Sequence, residues 1–491
     1  MESPVVSSAQ MRQAEEAAFA AGATPEFLME QAGAGIARTI RQFFPVPGRC
    51  IVFAGKGHNG GDALVAARDL KQIGWHIDVR LAFPEEDCAE LTRKKLDALR
   101  DTPAPNVDRS GVTIVFDGLL GLGATHLLRE PVRSAACEIN KLRTEASAWV
   151  IAIDLPTGLN GDSGETDPEE VVTADFTITI GFAKHGLIVD SSLDYVGRIQ
   201  VIPLPELKLP ENNETLATAP ALQSTLPRRK FSSYKNQLGR IGIVAGSRGF
   251  VGAAIMTTEG ALRAGGGLVE LFVARDLYDI VASAAPAEAM VKPIHSIKEL
   301  TKQQIDVWAI GPGLGKHAAS GILKFLDQAR QPTVVDADAL NALSSKIDLL
   351  KRSPGPRLLT PHPGEMSRLF DSGKMSRAGM ARNFCEQYPV TLLLKGSRTL
   401  VAERGRPLSY NSTGNPGMAT GGMGDVLTGV CAGLLGRGIS LYDTARIGAW
   451  ACGRAAELAV FNKGQSEESL LPRDVLVHLG EVFNELRSPV V

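Results

Sequence analysis

Acids follow glycine-rich turns, or precede them, at the ends of three apolar runs in the first half of the chain. Residues 50–54 lead into Gly55-Lys56-Gly57-His58-Asn59-Gly60-Gly61-Asp62, and residues 112–116 reach Asp117 and then Gly121-Leu122-Gly123-Ala124-Thr125. Residues 148–153 reach Asp154-Leu155-Pro156-Thr157-Gly158. Glycines let a backbone approach a phosphate, and a helix starting near Gly61 would aim its N–H groups and positive dipole end at the same place. Clustered carboxylates removed from water cost free energy unless a cation or donors compensate them. Asn59, Asp117 and the Thr157 hydroxyl make an all-oxygen set suited to a hard cation, which leaves Asp154 for proton transfer.

Each piece also has a plainer reading. The glycine loop can simply cap a helix, and Asp154 can cap neighbouring amides in an ordinary turn. Lys184, after the apolar run 176–183, reads as a neutraliser of ligand phosphate or as a solvated cation. Residues 55–60 match G-x-G-x-x-G, and Asp78 lies near the spacing of a ribose-binding acid. That acid belongs at the end of its strand, whereas Asp78 comes early, so the dinucleotide fingerprint is weak.

The second half carries Asn415-Pro416-Gly417-Met418-Ala419-Thr420-Gly421-Gly422-Met423-Gly424-Asp425 ahead of the apolar stretch 426–435. N–H groups of the Gly421–Gly424 turn, at the start of a buried helix, form an anion hole for charge developing on a phosphate. Asp425, in the first helical turn, can take a proton from a hydroxyl beside that hole. No G-x-x-x-x-G-K-[ST] occurs, so a P-loop is excluded and a nucleotide must be held otherwise. Lys395-Gly396-Ser397-Arg398-Thr399, after the run 390–394, offers cationic and hydroxyl groups with glycine freedom, as a phosphate grip requires, or else a lysine closing a hairpin. Gly311-Pro312-Gly313-Leu314-Gly315 and Pro361-His362-Pro363-Gly364-Glu365 also follow apolar runs. His362, fixed between two prolines, reads as a substrate or proton-shuttling group or as a loop residue. Gly252-Ala253-Ala254 reads equally as packing or as close ligand approach.

These loops need a scaffold. Helical stretches at 8–21, 26–43, 61–73, 86–100 and 130–144 alternate with apolar runs at 50–54, 77–83, 112–116 and 148–153. Parallel strands need crossover helices and are buried on both faces, so the alternation predicts an α/β fold with a mostly parallel, doubly covered sheet. Ligands then bind beyond the carboxyl ends of the strands, where the three acid-bearing loops converge. Residues 203–227 turn rich in Pro, Glu, Asn, Thr and Ser and read as a linker. A second α/β series follows, with runs at 240–245, 268–273, 306–310, 333–336, 357–360 and 390–395 and late helices near 424–436, 441–461 and 472–486.

The chain has 491 residues, enough for two or three domains, and 51 glycines. Its 52 basic and 54 acidic residues leave a formal charge of −2, so no whole-protein field favours nucleic acid or an anionic membrane. Six cysteines are spaced too widely for zinc or a dense disulfide framework and read as reduced core residues. The first residues lack a signal or transit pattern and no stretch has the length of a membrane span, which places the protein in the cytoplasm.

At these motifs the chain resembles the bifunctional NAD(P)H-hydrate repair enzymes, over roughly 8–210 and 225–488. The resemblance is carried by Gly57-His58-Asn59-Gly60-Gly61-Asp62, by Asn415 through Asp425, and by their order in one chain. It implies a Rossmann-like three-layer epimerase domain over 1–218 and a ribokinase-like α/β/α dehydratase domain over 219–491. Such a pair epimerises the R and S forms of NADHX and NADPHX and dehydrates the S form with ADP as co-substrate, giving AMP and phosphate. Implied epimerase substrate contacts are His58, Asn59, Gly60, Gly61, Asp62, Gly121, Leu122, Gly123, Ala124, Thr125, His126, Leu127 and Asp154. Implied potassium ligands are Asn59, Asp117 and Thr157. Hydrate contacts in the dehydratase fall on Ala253, Gly315, His362 and Asp425. ADP, with magnesium, falls on Lys395, Gly396, Ser397, Arg398, Thr399 and Gly424. Asp154 and Asp425 are the implied catalytic residues. Partners expected are these small molecules and further copies of the chain, with neither nucleic acid nor membrane. The competing reading is a ribokinase-like kinase for a small alcohol or vitamin precursor, fused to a Rossmann-like binding domain.

Overall fold

The computed structural model describes residues 3–105, 107, 110–122, 127–208 and 212–488, without the side chains of 462 and 463. Gly123, Ala124, Thr125 and His126 lie outside the described residues. The chain divides into two compact units, Ser3–Asn212 and Asn213 onward.

In the first unit the strands are β1 (Ser3–Val6), β2 (Arg49–Ala54), β3 (His76–Leu81), β4 (Thr113–Gly118), β5 (Trp149–Ile153), β6 (Phe176–Ile180), β7 (Ala183–Lys184) and β8 (Arg198–Ile202). Six of them form a sheet in the order β3-β2-β4-β5-β6-β8, every pair parallel. β6 is buried throughout, and only the first residues of β4 and β5 are half-exposed, as expected for strands covered on both faces. Phe53 pairs with Asp117, Asp117 with Ala152, and Ile153 with Ile178, so the acid-bearing strand ends lie side by side. The apolar run 176–183 is not one strand. It breaks at Gly181, whose φ of +72° suits glycine, and β7 then pairs with β1, Val6 opposite Lys184.

Helix caps follow the sequence closely. Ser7 caps Ser8–Ala20 through a reciprocal box with Gln10, and Thr24 with Pro25 starts Pro25–Phe43. The helix expected from Gly61 starts earlier, at His58, with Gly57 as its cap. Gly60 packs against the Gly55 carbonyl, where a Cβ would come within 2.2 Å, and this close approach lets the helix begin at once.

In the second unit the strands are β9 (Glu214–Ala217), β10 (Arg240–Val244), β11 (Leu268–Ala274), β12 (Met290–Ile294), β13 (Val307–Ile310), β14 (Thr333–Val335), β15 (Arg357–Leu359), β16 (Thr391–Leu394), β17 (Leu400–Ala402) and β18 (Leu408–Asn411). Their order is β12-β11-β10-β13-β14-β15-β16-β17-β18-β9, parallel from β12 to β16 with β17 antiparallel to both neighbours. The stretch expected as a linker contains β9, which pairs with β18, and the short helix Ala219–Gln223. Helices Val251–Arg263 and Met423–Gly436 run in the same direction and touch backbone to backbone: a Cβ on Gly429 would meet the Thr257 carbonyl at 2.0 Å, and one on Gly433 the Ala261 carbonyl at 2.6 Å.

Five of the six cysteines are buried as expected, but Cys137 is exposed. No helix among the described residues is long and apolar enough to cross a membrane.

Candidate active sites

In the first unit, Asp117, next to last in β4, is fully buried. Its Oδ2 accepts from Thr157 N at 2.7 Å, and its Oδ1 from Thr157 Oγ1 at 2.7 Å and Leu119 N at 3.3 Å. Asn59 Nδ2 donates to the Leu120 carbonyl at 2.9 Å, and Leu120 N donates to Thr157 Oγ1 at 3.2 Å. Asn59, Asp117 and Thr157 are therefore joined through one loop, as the sequence implies. Burial pushes the Asp117 carboxyl up to about 6, because the donors from Thr157 and Leu119 offset only part of the lost hydration. Among the described residues no three His, Cys, Asp or Glu side chains group as a metal site. The donor set is one carboxylate with neutral oxygens, which suits a hard cation of low charge.

Asp154 follows β5 with a φ of +68°, a conformation rare outside glycine that Asp tolerates better than most residues. Its Oδ1 accepts from Thr179 Oγ1 at 3.2 Å, from Ile180 N at 3.1 Å and from Lys184 Nζ. Lys184 is neither a solvated cation nor placed for a ligand phosphate: it is fully buried and also donates to the Ile180 carbonyl at 2.9 Å. The pairing of β7 with β1 holds it there.

Asp62, on the first turns of His58–Gln72, belongs to the same group. Burial, then the charges of Asp154 and Glu15, push its carboxyl well above the usual range, with Lys184 acting against them. Glu15 rises through burial and Asp154. It comes from helix Ser8–Ala20, and no motif in that helix distinguishes it from its neighbour Glu16.

His58 is exposed, Gly60 and Gly61 are buried, and Gly121 and Leu122 are half-buried. A Cβ on Gly121 would lie 3.6 Å from Asn59 Oδ1, so the two loops meet. Leu127 is exposed. Asp78 is bonded by Arg49 at 2.9 Å and Arg80 at 3.2 Å, which removes it as a ribose acid.

In the second unit the centre is Asp336, directly after β14 and 1% exposed. Lys395 Nζ donates to its Oδ1 at 2.8 Å and Thr428 Oγ1 to its Oδ2 at 2.9 Å. Glu365 lies 3.9 Å from the same lysine. Burial works against the Lys395 charge, but Asp336, Glu365 and Asp425 outweigh it and its pKa rises. A Cβ on Gly424 would sit 3.2 Å from Lys395 Nζ, so the glycine turn and the lysine share one site. The helix Met423–Gly436 starts after Gly422, at φ +97°, and its first intrahelical bond there is Val426 N to Gly422 O at 3.1 Å. The amides of Met423, Gly424 and Asp425 precede that bond. Burial and Asp336 push the Asp425 carboxyl up to about 6, Lys395 pulling against them.

Lys395, Gly396, Ser397, Arg398 and Thr399 form the turn of the β16–β17 hairpin, as the hairpin reading of that segment expects. Arg398 takes φ +54°, Thr399 Oγ1 bonds the Gly396 carbonyl at 3.0 Å, and Arg377 Nη1 holds the Ser397 carbonyl at 2.9 Å. His362 caps the helix Pro363–Leu369, its Nδ1 accepting from Gly364 N at 3.0 Å while Glu365 accepts from its backbone N–H. Gly315 N donates to Asp338 at 2.8 Å. Ala253 lies against Gly313, and Gly422 against Met256 of the same helix, Val251–Arg263.

The sequence reasoning missed Asp336, Asp338, Glu365 and Thr428. The signal for Asp336 was present, since Val334-Val335-Asp336 ends an apolar run in an acid as Asp117 and Asp154 do.

The two halves define a two-domain α/β enzyme, a Rossmann-like unit followed by a ribokinase-like one. Residues 25–186 match the family model described as YjeF-related protein N-terminus, and residues 241–476 the model described as NAD(P)H-hydrate dehydratase. The curated bifunctional NAD(P)H-hydrate repair enzyme of Moorella thermoacetica is 33% identical over 99% of this chain and 98% of its own. That of Escherichia coli is 35% identical over 96% and 92%. A solved ribokinase-like superfamily protein from Enterococcus faecalis is 26% identical, covers 57% of this chain and 99% of its own, and superposes with a TM-score of 0.50. The chain belongs to the family of bifunctional NAD(P)H-hydrate repair enzymes, with the epimerase-type half first and the dehydratase half second.

Proposed function

We propose that the first unit interconverts the R and S forms of hydrated NADH and NADPH at Asp154, and that the second dehydrates the S form at Asp425 with ADP. The observation that carries the reading is the pair Asp425 and Lys395 around Gly424, an acid pushed up to about 6 beside a half-buried cation at a helix N-terminus. The hydrate bears a hydroxyl on a carbon next to the ring nitrogen. Asp425 takes the hydroxyl proton, the oxygen attacks the β-phosphorus of ADP, and the bond to AMP breaks. The amides of the glycine turn and Lys395 stabilise the charge on the phosphoryl group. The ring-nitrogen lone pair then expels phosphate, and loss of a proton restores the nicotinamide double bond. Magnesium would supply further charge compensation for the transferred phosphoryl group.

In the first unit the donors to Asp154 converge on Oδ1, which leaves Oδ2 for a proton in transit as the hydrate opens or forms an iminium and recloses. Asp62, whose carboxyl is pushed up first by burial and then by Asp154 and Glu15, is the group assigned to donate to the departing oxygen. Potassium, held by Asn59, Asp117 and Thr157, would offset the buried Asp117 charge and attract a substrate phosphate. The expectation of a cytoplasmic, oligomeric protein belongs to the same reading.

The test is recovery of reduced-nucleotide absorbance from mixed R and S hydrates with ADP. Asp425→Asn binds ADP and epimerises the hydrates without dehydrating them; turnover retained in that variant contradicts the assignment.

A further inference from the structure

A cavity of about 800 Å³ in the second unit is lined by five arginines, Arg228, Arg229, Arg263, Arg437 and Arg487. Arg263 has Glu259 at 3.6 Å, one turn back on its own helix. The other four make no ion pair among the described residues. Arg437 Nη2 donates to the Pro227 carbonyl at 2.8 Å, Arg229 Nη2 to the Gly265 carbonyl at 3.0 Å, and Arg228 Nη2 lies 3.5 Å from the Arg487 carbonyl. Arg487 Nε is buried with no hydrogen-bond partner. Burial, then Arg487 and Arg229, push the Arg437 guanidinium down to about 10, and burial with Arg229 and Arg228 pushes Arg487 below its ordinary value.

Helix C-termini favour cations, which accounts for Arg263, Arg437 and Arg487 at the ends of three helices. It does not account for Arg228 and Arg229, which come from the irregular segment before β10 and add two charges that no helix end requires. The cavity is also separate from the nucleotide turn. Helix Met423–Gly436 has 14 residues, and a rise of about 1.5 Å per residue puts its two ends roughly 20 Å apart, Asp425 at one and Arg437 at the other.

We propose that this cavity is a second anion site, for a small soluble ligand carrying two or more phosphate groups. Guanidinium forks bind phosphate oxygens in pairs, and an anion would supply the charge partner that four of the five arginines lack among the described residues. The volume lies within the ordinary range for small-ligand pockets, and a concave site of this size suits a free metabolite better than a flat lipid surface.

The test is calorimetric titration of inorganic tripolyphosphate into the full chain and into the exposed double variant Arg228→Gln/Arg229→Gln. The variant should take up one equivalent fewer, or bind that equivalent at least tenfold more weakly, while its ADP-dependent turnover is unchanged. Without anion it should melt at the same temperature or higher, because like-charge repulsion is relieved; a lower melting temperature assigns the arginines a structural role and counts against the site. Equal uptake by both proteins, or retention on phosphatidylserine vesicles that tripolyphosphate does not compete away, overturns the proposal.

Discussion

Lys184 donates to Asp154 from a fully buried position, and the same nitrogen holds Thr179 Oγ1 at 3.1 Å. The pair fixes the acid at a φ of +68°, aimed by its neighbours rather than by its own backbone preference. Lys184→Met should therefore do more than slow the reaction. Leaving one partner of a buried pair uncompensated costs about 3–5 kcal/mol, so this variant should unfold at lower denaturant than Lys184→Met/Asp154→Asn. Denaturation midpoints ranked the other way would show that the pair does not hold the loop.

Asp117 predicts a pH-dependent response to potassium. Its folded carboxyl titrates near 6, above the ordinary value, so the folded protein binds the extra proton between the two. Stability from this group is present at the acid end of that window and declines as pH rises through it, leaving a buried charge only partly compensated by its donors above 6. Potassium should raise the melting temperature more at pH 8 than at pH 5, measured against tetramethylammonium at equal ionic strength. Asp117→Asn should abolish the difference; equal increments at both pH values in the unaltered chain would remove the cation from this site.

Much of this frame was legible from the chain alone. Runs such as 112–116 and 148–153 are continuous apolar segments ending in acids, and buried parallel strands with functional loops leave that trace. β9 was read as linker because Glu214–Ala217 is short and lies among polar residues, its pairing with β18 being set by segments nearly two hundred residues apart. Glu15 and Asp336 show the same limit at the site. Glu15 is raised by burial and then by Asp154, remote in sequence, and Asp336 gains its partner from Lys395 through a bond between residues 59 apart. Local pattern reports what a segment buries but not which distant charge it meets.

As the proposed proton acceptor, Asp425 should set the acid limb of dehydration. With its carboxyl near 6, the rate should fall as pH drops below that value, since the proton acceptor is the ionised form. Asp425→Asn should lose about 10²–10⁴-fold in kcat with ADP affinity retained. Burial raises Asp425 most and Asp336 next; Asp336→Asn removes that second contribution and frees Lys395 to lower the acid, so the limb should move to lower pH. A limb that stays in place would separate Asp336 from the acid.

Gly424 tests the anion turn without altering a charge. A methyl there would lie 3.2 Å from Lys395 Nζ and 3.7 Å from Asp336 Oδ2. The flexible lysine end can give way, so Gly424→Ala should fold and still raise the KM for ADP by about tenfold, the equivalent of 1.4 kcal/mol. An unchanged KM would place the nucleotide elsewhere.

The most direct measurement follows both hydrate epimers separately during incubation with ADP. The unaltered chain should consume R and S to completion. Asp154→Asn should exhaust S and leave R at its slow uncatalysed rate, Asp425→Asn should equilibrate the two without making reduced nucleotide, and mixing the two variants should restore full conversion. Consumption of R by Asp154→Asn at the unaltered rate, or no rescue on mixing, would contradict the division of labour between the two halves.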